Sequence, residues 1–194
     1  MSKKTILLVG PDGGIGKEID RLLKKEYKIL EIRRGTPVED MGLVDIVIFA
    51  NGNVELGPLL ILGKSRIDQM LYDNFIYQIQ KTKMFIHTKK IKHFIYIISN
   101  SAYEAFPNNT VYGATKAGLL HFARALWKEV GKDGIKVTTI SPGTVDTDSF
   151  WKKAGQDNRQ YCYPLDPKEI ARCVKFALEC DGNILELVIL PRPK

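Results

Sequence analysis

The chain has 194 residues and a formal net charge of +7, with 44% hydrophobic and 26% charged residues. This length favours one domain, 1–194, and the composition is that of an ordinary globular protein without a membrane-spanning segment. Part of the positive charge lies in the run 81–93. That run lacks a recognisable nucleic-acid motif, so we interpret it as a solvated surface and expect neither nucleic-acid nor membrane binding.

The predicted elements alternate between strands and helices along the chain. Apolar, often β-branched runs predict strands at 5–9, 27–32, 45–50, 93–98, 136–140 and 185–190. Apolar residues at helical spacing predict helices at about 15–26, 65–86, 112–131 and 167–180. Strands buried on both faces and alternating with helices predict an α/β fold: a single doubly wound, Rossmann-like parallel sheet with helices on both faces.

A glycine-rich turn, "VGPDGGIGK" (9–17), follows the first predicted strand and opens the first helix. Gly10, Gly14 and Gly16 suit a turn that needs positive φ and a backbone that approaches a pyrophosphate closely. The N–H groups at the start of the helix would then face the phosphates. The turn therefore predicts dinucleotide binding at Gly10, Gly14, Ile15 and Gly16.

The second predicted strand ends in "IRRG" (32–35). An acidic residue there would hold the ribose 2′-hydroxyl of NAD, whereas Arg33 and Arg34 suit a 2′-phosphate. The sequence therefore favours NADP(H) over NAD(H), the alternative being a solvated arginine pair after an edge strand. Strand alternation places Glu31 on the same side as Arg33.

The three cysteines and three histidines show no metal-ligand spacing. We expect no metal site, and we interpret the cysteines as reduced thiols of a cytoplasmic protein.

Six motifs occur in a particular order along the chain. They are the glycine turn, "ANG" (50–52), Asn74 in a helix, Ser99 at a strand end, "YGATK" (112–116) and "SPGTVDT" (141–147). This ordered set, over about 5–190, resembles the short-chain dehydrogenase/reductase family.

The resemblance implies a catalytic set. Tyr112 would exchange the proton at the substrate oxygen, and Lys116 would hold the nicotinamide ribose and, with the cationic nicotinamide, lower the pKa of Tyr112. Ser99 would polarise the carbonyl, with Ser101 as the alternative serine. Asn74 would anchor a water and relay protons.

The resemblance also implies further cofactor contacts. Asn51 and Gly52 would line the adenosine side of the site. The nicotinamide and pyrophosphate side would be formed by Pro142, Gly143, Thr144, Val145 and Thr147.

The chain departs from the family pattern at residues 33–44. This segment is too short for the family's third strand and its helix. We therefore predict a reduced sheet that lacks this edge unit, with the predicted strands in the order 2-1-3-4-5-6. We also expect residues 148–166 to form a short substrate loop.

The implied function is NADP(H)-dependent hydride transfer to or from a small carbonyl or alcohol substrate. A catalytically silent dinucleotide-binding sensor or scaffold is the alternative, and an isomerase or lyase on the same fold is a third possibility. Family members commonly associate through the helix that carries the tyrosine, so we expect a homodimer or homotetramer.

Overall fold

The computed structural model describes residues 3–33, 44–154 and 162–193. Six strands form one parallel sheet in the order β2-β1-β3-β4-β5-β7. They are β1 (Thr5–Val9), β2 (Lys28–Ile32), β3 (Ile46–Phe49), β4 (His93–Ile97), β5 (Lys136–Pro142) and β7 (Glu186–Ile189). Two short strands, β6 (Cys162–Tyr163) and β8 (Arg192–Pro193), form a separate antiparallel pair. The prediction of a single doubly wound sheet is confirmed.

Helices cover both faces of the sheet. They are α1 (Gly14–Leu23), α2 (Lys64–Leu71), α3 (Tyr77–Ile86), α4 (Thr110–Val130), α5 (Asp148–Ala154) and α6 (Pro167–Glu179). Short 3₁₀ turns lie at Leu59–Ile61, Asn100–Ala102 and Gly131–Asp133. No described helix has both the length and the apolar character that crossing a membrane requires.

The two-residue period of β1 divides the core into two layers. Ile6 and Leu8 pack towards α1 and α6, whereas Leu7 and Val9 pack towards α3 and α4. All four side chains are essentially inaccessible to solvent. A strand buried on both faces needs apolar residues at every position, which explains the continuous run "TILLV".

The predicted helix at 65–86 is interrupted. A π-helical turn, Tyr72–Ile76, lies between α2 and α3 and contains the buried Asn74. Such a turn inserts one extra residue and redirects the side chains after it, and π-turns are frequent at functional sites.

The predicted absence of a third strand and its helix concerns residues 33–44, of which 34–43 lie outside the described residues. Among the described strands, β2 forms the edge of the sheet beside β1, and the strand order agrees with the predicted one.

Candidate active site

A cavity of about 450 Å³ lies outside the carboxyl ends of β3, β4 and β5. In open α/β sheets this edge is where ligands bind. Its walls come from the start of α1, the loop after β3, the residues after β4, the start of α4 with the residues before it, the segment after β5, the start of α5 and Pro191, which follows β7.

Helix α4 brings Tyr112 and Lys116 to one wall of this cavity. Their i, i+4 spacing places both on one helix face, with the Lys116 Nζ 5.6 Å from the centre of the Tyr112 ring. Lys116 is only 3% exposed, and its Nζ donates to the carbonyl oxygen of Ile97 at 3.2 Å. Burial lowers the pKa of Lys116 to about 8 because the ammonium loses hydration.

The Tyr112 side chain is half-buried, and its hydroxyl end is surrounded by protein. Burial raises the pKa of Tyr112 to about 12, and a hydrogen bond with Ser99 opposes this shift. The expected lowering of the Tyr112 pKa by the Lys116 ammonium is not found among the protein's own groups, where desolvation dominates and the opposing effect comes from Ser99. Tyr112 is a protonated acid at neutral pH in this environment.

Ser99 follows β4 and is 9% exposed. Its Oγ accepts from the Ser101 backbone N–H at 3.1 Å and lies 3.2 Å from the Ser101 Oγ. Both serines line the cavity, but the hydrogen bond that affects Tyr112 comes from Ser99. The effect on the pKa of Tyr112 favours Ser99 over Ser101 as the partner of the tyrosine.

Asn74 is fully buried in the π-helical turn and is tied to the loop after β3. Its Nδ2 donates to the carbonyl oxygens of Asn53 at 2.6 Å and Met70 at 3.0 Å, and its Oδ1 accepts from the Asn53 N–H at 3.1 Å. A Cβ placed on Gly52 would lie 2.8 Å from the Asn74 Oδ1 and 3.6 Å from the Lys116 Nζ. Asn74 therefore lies beside Lys116, behind the cavity wall formed by Gly52 and Asn53.

The glycine turn has the geometry that its sequence predicts. Gly10 has φ of +84°, and its N–H donates to the Ile32 carbonyl at 3.0 Å. A Cβ on Gly16 would lie 2.1 Å from the Gly10 carbonyl oxygen, so the start of α1 packs directly on the turn. Among the described residues, no side chain caps the N-terminus of α1. Ile15 reaches the cavity from this helix.

The segment after β5 forms the opposite wall. Pro142, Gly143, Thr144, Val145 and Thr147 all line the cavity. A Cβ on Gly14 would lie 2.6 Å from the Thr147 Cγ2, so this segment packs against the glycine turn. The structure thus brings the two predicted cofactor-binding segments into contact.

Asn51 forms part of the wall after β3. Its Nδ2 donates to the Asp73 carbonyl at 3.0 Å, and its backbone carbonyl accepts from the Gln78 Nε2 at 3.4 Å. The Asn51 Oδ1 is buried and has no hydrogen-bond partner among the described residues.

Arg33 lies at the β2 edge, next to the glycine turn. Its guanidinium pairs with the Glu31 carboxylate at 2.5 Å and with the Asp12 carboxylate at 3.2 Å. These carboxylates raise the pKa of Arg33 further, so its charge is permanent. The pair explains Glu31, for which the sequence offered no role. Arg34 lies outside the described residues.

Sequence reasoning missed Asn109, which also lines the cavity, whereas Phe150, another lining residue, lies in the predicted substrate loop. Asn109 lies three residues before Tyr112, and Phe150 lies in α5. Neither belongs to a recognisable motif, because their place in the cavity depends on how the loops fold over the sheet. In 3–33, 44–154 and 162–193, no three potential metal ligands lie close enough together to hold a metal ion.

Comparison with known proteins agrees with this geometry. A family model described as short chain dehydrogenase matches residues 35–158, more than half of the chain. An uncharacterized oxidoreductase from Staphylococcus aureus (strain MW2) is 29% identical, over 98% of this chain and 78% of the relative. An uncharacterized oxidoreductase from Staphylococcus epidermidis is 28% identical, over 96% of this chain and 86% of the relative.

Solved structures share the fold. A small-chain dehydrogenase in complex with NADPH superposes with a TM-score of 0.84 at 19% identity, over 98% of this chain and 97% of the other. ElxO with NADP bound has a TM-score of 0.82 at 19% identity, with coverages of 97% and 96%. The chain belongs to the short-chain dehydrogenase/reductase family of oxidoreductases.

Proposed function

We propose that the protein transfers a hydride between a nicotinamide dinucleotide and a small carbonyl or alcohol substrate, with Tyr112 as general acid/base. The observation that carries this proposal is the convergence of Tyr112, Ser99 and Lys116 on one cavity at the carboxyl ends of the strands. A phenol, a hydroxyl donor and a buried ammonium within one cavity suit proton exchange at a carbonyl oxygen.

Each of the three residues has a distinct role in this proposal. Tyr112, held protonated by burial, would donate its proton to the oxygen of a carbonyl substrate. Ser99 would donate a hydrogen bond to the same oxygen and hold it in place. Lys116 would orient the cofactor ribose and favour the tyrosinate when the reaction runs towards the carbonyl.

The residues present fit a dinucleotide. The glycine turn leaves no room for a side chain where a pyrophosphate would approach, and the uncapped start of α1 offers its N–H groups there. The nicotinamide would supply or accept the hydride. Gly10, Gly14, Ile15, Gly16, Asn51, Gly52 and the segment from Pro142 to Thr147 would bind it.

NADP(H) is the cofactor that we favour. Arg33 supplies a permanent positive charge beside the glycine turn, and two structurally similar proteins were determined with NADP or NADPH bound. Titrating the purified protein with NADPH and, separately, with NADH tests this preference. Tighter binding of NADPH would support it, and tighter binding of NADH would contradict it without affecting the proposed reaction.

The substitution Tyr112→Phe tests the chemistry. It removes the acid but keeps the ring, so turnover of a carbonyl panel should fall at least about a thousandfold while NADPH affinity is retained. Tyr72→Phe, an exposed tyrosine in the π-helical turn, is the matched control and should keep its activity. Undiminished turnover in Tyr112→Phe would refute the role of Tyr112.

A dinucleotide-binding protein without catalysis is the second candidate. It is favoured by Asn74, whose amide hydrogens are both engaged by backbone carbonyls and so are not available to a water relay. NADPH binding without turnover on any carbonyl or alcohol would support this candidate.

We also propose that the protein forms a homodimer or homotetramer. Trp127 on α4 is 36% exposed, and Leu71, Tyr72 and Ile76 expose apolar surface on the neighbouring α2 and π-helical turn. A monomeric mass by light scattering would contradict this proposal.

A further inference from the structure

The part of the cavity that is not assigned to the dinucleotide is lined mainly by apolar side chains. These belong to Val54, Leu56, Phe106, Pro107, Phe150 and Pro191. They come from the loop after β3, the loop before α4, the start of α5 and the segment after β7. Ligand pockets are typically apolar, with a few polar groups that fix the orientation of the ligand. A substrate whose oxygen lies beside Tyr112 would therefore place its other atoms against apolar walls.

Charged side chains are rare in the lining of the cavity. Among the described residues, Tyr112 and Lys116 are the only lining residues with an ionisable side chain. The other polar lining groups are amides and hydroxyls, such as those of Asn53 and Ser149. Moving a carboxylate or a phosphate out of water costs much free energy unless a positive charge receives it. Lys116, the cation among the described lining residues, is already engaged, since its Nζ donates to the Ile97 carbonyl oxygen.

One acidic residue within the walls is paired outside the cavity. Glu55 lies between the lining residues Val54 and Leu56, but it is not itself a lining residue. Its side chain is 17% exposed, forms an ion pair with Lys153 of α5 and lies 3.8 Å from the Arg66 guanidinium. This pairing joins two wall segments without placing a net charge in the cavity.

Two aromatic rings face each other's segments across the apolar walls. The Phe150 ring packs edge-to-face on Trp151, with 4.9 Å between the ring centres and 76° between the planes. Trp151 is buried, and its Nε1 donates to the Asp146 Oδ1 at 2.7 Å, which fixes this aromatic pair. Phe106, by contrast, is 40% exposed although it lines the cavity. Contact with a substrate would remove the Phe106 ring from water, which is favourable in proportion to the area covered.

The apolar walls are held in place by the backbone. The Gly57 N–H donates to the Asn108 carbonyl oxygen at 2.9 Å and so ties the loop after β3 to the loop before α4. In the segment after β7, Pro191 packs closely on Gly143, where an added Cβ would lie 2.5 Å from the Pro191 Cδ. The apolar surface is therefore preformed, as is usual for small-molecule sites.

We propose that the substrate is an uncharged carbonyl compound, or the corresponding alcohol, that carries an apolar and preferably aromatic group, bound between the walls formed by Leu56, Phe106 and Phe150. This inference rests on the proposed function, because it places the carbonyl oxygen beside Tyr112. Oxo acids and phosphorylated sugars are disfavoured, since the described walls offer their charge no free cation. Aromatic substrates are favoured, because rings pack well edge-to-face on phenylalanine.

The test uses three para-substituted benzaldehydes of nearly equal shape, which carry an isopropyl, a carboxamide or a carboxylate group. Their dissociation constants are measured by ligand-observed NMR with excess NADP⁺, which has no hydride to give. We expect the isopropyl compound to bind tightest, the carboxamide about tenfold more weakly and the carboxylate at least about thirtyfold more weakly. A carboxylate that binds as tightly as the isopropyl compound, or no binding by any of the three, would overturn the inference.

Because this measurement needs no turnover, it separates the inference from the proposed function. If the isopropyl compound binds tightest but is not reduced with NADPH, the proposed reaction fails and the inference about the substrate site stands. If the carboxylate compound binds tightest and is reduced, the proposed reaction stands and the inference fails.

The substitution Leu56→Arg tests whether the wall itself sets this preference. The added cation should raise the affinity for the carboxylate compound about tenfold and lower the affinity for the isopropyl compound. Leu60→Arg makes the same charge change at a position that is 96% exposed and outside the cavity lining, so it should leave all three affinities unchanged. A folded Leu56→Arg protein without a gain in carboxylate affinity would contradict the assignment of this wall.

The substitution Phe150→Ala keeps the inference testable even if Leu56→Arg does not fold. Losing the ring should weaken binding of the isopropyl compound about tenfold, because apolar contact area is lost, and should leave the NADP⁺ affinity unchanged. Phe176→Ala, at a position on α6 that is 53% exposed, is the matched control. Equal affinity of wild type and Phe150→Ala for the isopropyl compound would overturn the proposed aromatic wall.

Discussion

Two regions of the candidate site, the cavity around Tyr112 (the buried end) and the β2 edge beside the glycine turn (the exposed end), hold their polar groups in different ways. At the β4–α4 end, Lys116 is 3% exposed and Ser99 is 9% exposed, and their partners are backbone carbonyls and hydroxyls. At the β2 edge, the Arg33 side chain is 53% exposed and that of Asp12 is 67% exposed. The two side chains form an ion pair with each other. One end is buried and uses neutral partners, whereas the other is solvated and uses ion pairs.

This difference predicts different responses to mutation. Burial shifts the pKa of a polar group. Removing one partner of a buried hydrogen bond costs free energy, because no water replaces that partner. Exposed ion pairs contribute about 1 kcal/mol or less, since water and salt screen them. We therefore expect substitutions at the buried end to change the reaction rate by large factors. Substitutions at the edge should change the relative affinity for NADPH and NADH by small factors.

Lys116→Met gives the largest expected effect. Turnover should fall by about a thousandfold, because the ammonium near Tyr112 and Gly52 is lost. The free energy of unfolding at pH 7 should nevertheless rise by roughly 1–2 kcal/mol, because the folded state no longer buries a charge.

The sign of this stability effect follows from the pKa of Lys116. Burial lowers this pKa to about 8 in the folded protein, below its unfolded value. Below pH 8, the folded wild-type protein therefore carries the full free-energy cost of burying the ammonium. The penalty disappears as the pH rises towards the unfolded pKa, and the advantage of Lys116→Met should vanish there. Lys128→Met, on the exposed face of α4, is the control. A lower free energy of unfolding for Lys116→Met than for wild type at pH 7 would contradict the inference that burying this ammonium costs stability.

Gly16→Ala tests the turn that joins the two ends. The added Cβ would lie 2.1 Å from the Gly10 carbonyl oxygen, which belongs to the backbone and cannot rotate away. We expect a loss of roughly 1–3 kcal/mol in the free energy of unfolding and a weaker NADPH affinity by isothermal titration. Gly13→Ala is the matched control, since its Cβ would meet nothing closer than 3.7 Å. Equal effects of the two substitutions would refute the close packing of α1 on the turn.

Asp12→Asn tests the exposed edge. A 2′-phosphate near Arg33 would be repelled by the Asp12 carboxylate, which also competes for the guanidinium. Removing this charge should raise NADPH affinity roughly threefold to tenfold while leaving NADH affinity nearly unchanged. The gain should shrink at high salt. Asp20→Asn on α1 controls for the change in net charge, and an unchanged NADPH affinity in Asp12→Asn would count against Arg33 as a phosphate contact.

Glu186→Gln gives the smallest expected effect. Arg124 and Tyr103 hydrogen-bond to this carboxylate, and the Arg124 contact lowers the pKa of Glu186 most strongly. The resulting stability is present above the unfolded pKa near ~4.3 and is lost as the pH falls through the lower folded pKa. Because both partners are partly exposed, the difference from wild type in thermal unfolding should be about 1 kcal/mol or less at pH 7 and should disappear in acid. Glu104→Gln, in the same loop as Tyr103, should show no such pH-dependent difference.

The positions of the strands and helices could be predicted because they follow from local periodicity, and the strand order was predicted from the family resemblance. The buried run at 5–9 and the spacing of Tyr112 and Lys116 carry this information in a few adjacent residues. The sequence predicted Ser99 and left Ser101 as the alternative, because both lie within reach of the same strand end. The choice between them depends on the orientation of two hydroxyls relative to α4.

By itself, the sequence determined the doubly wound sheet, the glycine turn and the family, because each depends on residue types at fixed short spacings. Only the tertiary structure decided how the polar groups are paired: Glu31 and Asp12 on Arg33, Asn74 behind Gly52, and Asn109 on Ser101. It also decided that burial raises the pKa of Tyr112 and lowers that of Lys116. Pairing and desolvation depend on which segments meet across the sheet. These segments are far apart in the chain, so no local sequence pattern reveals their contact.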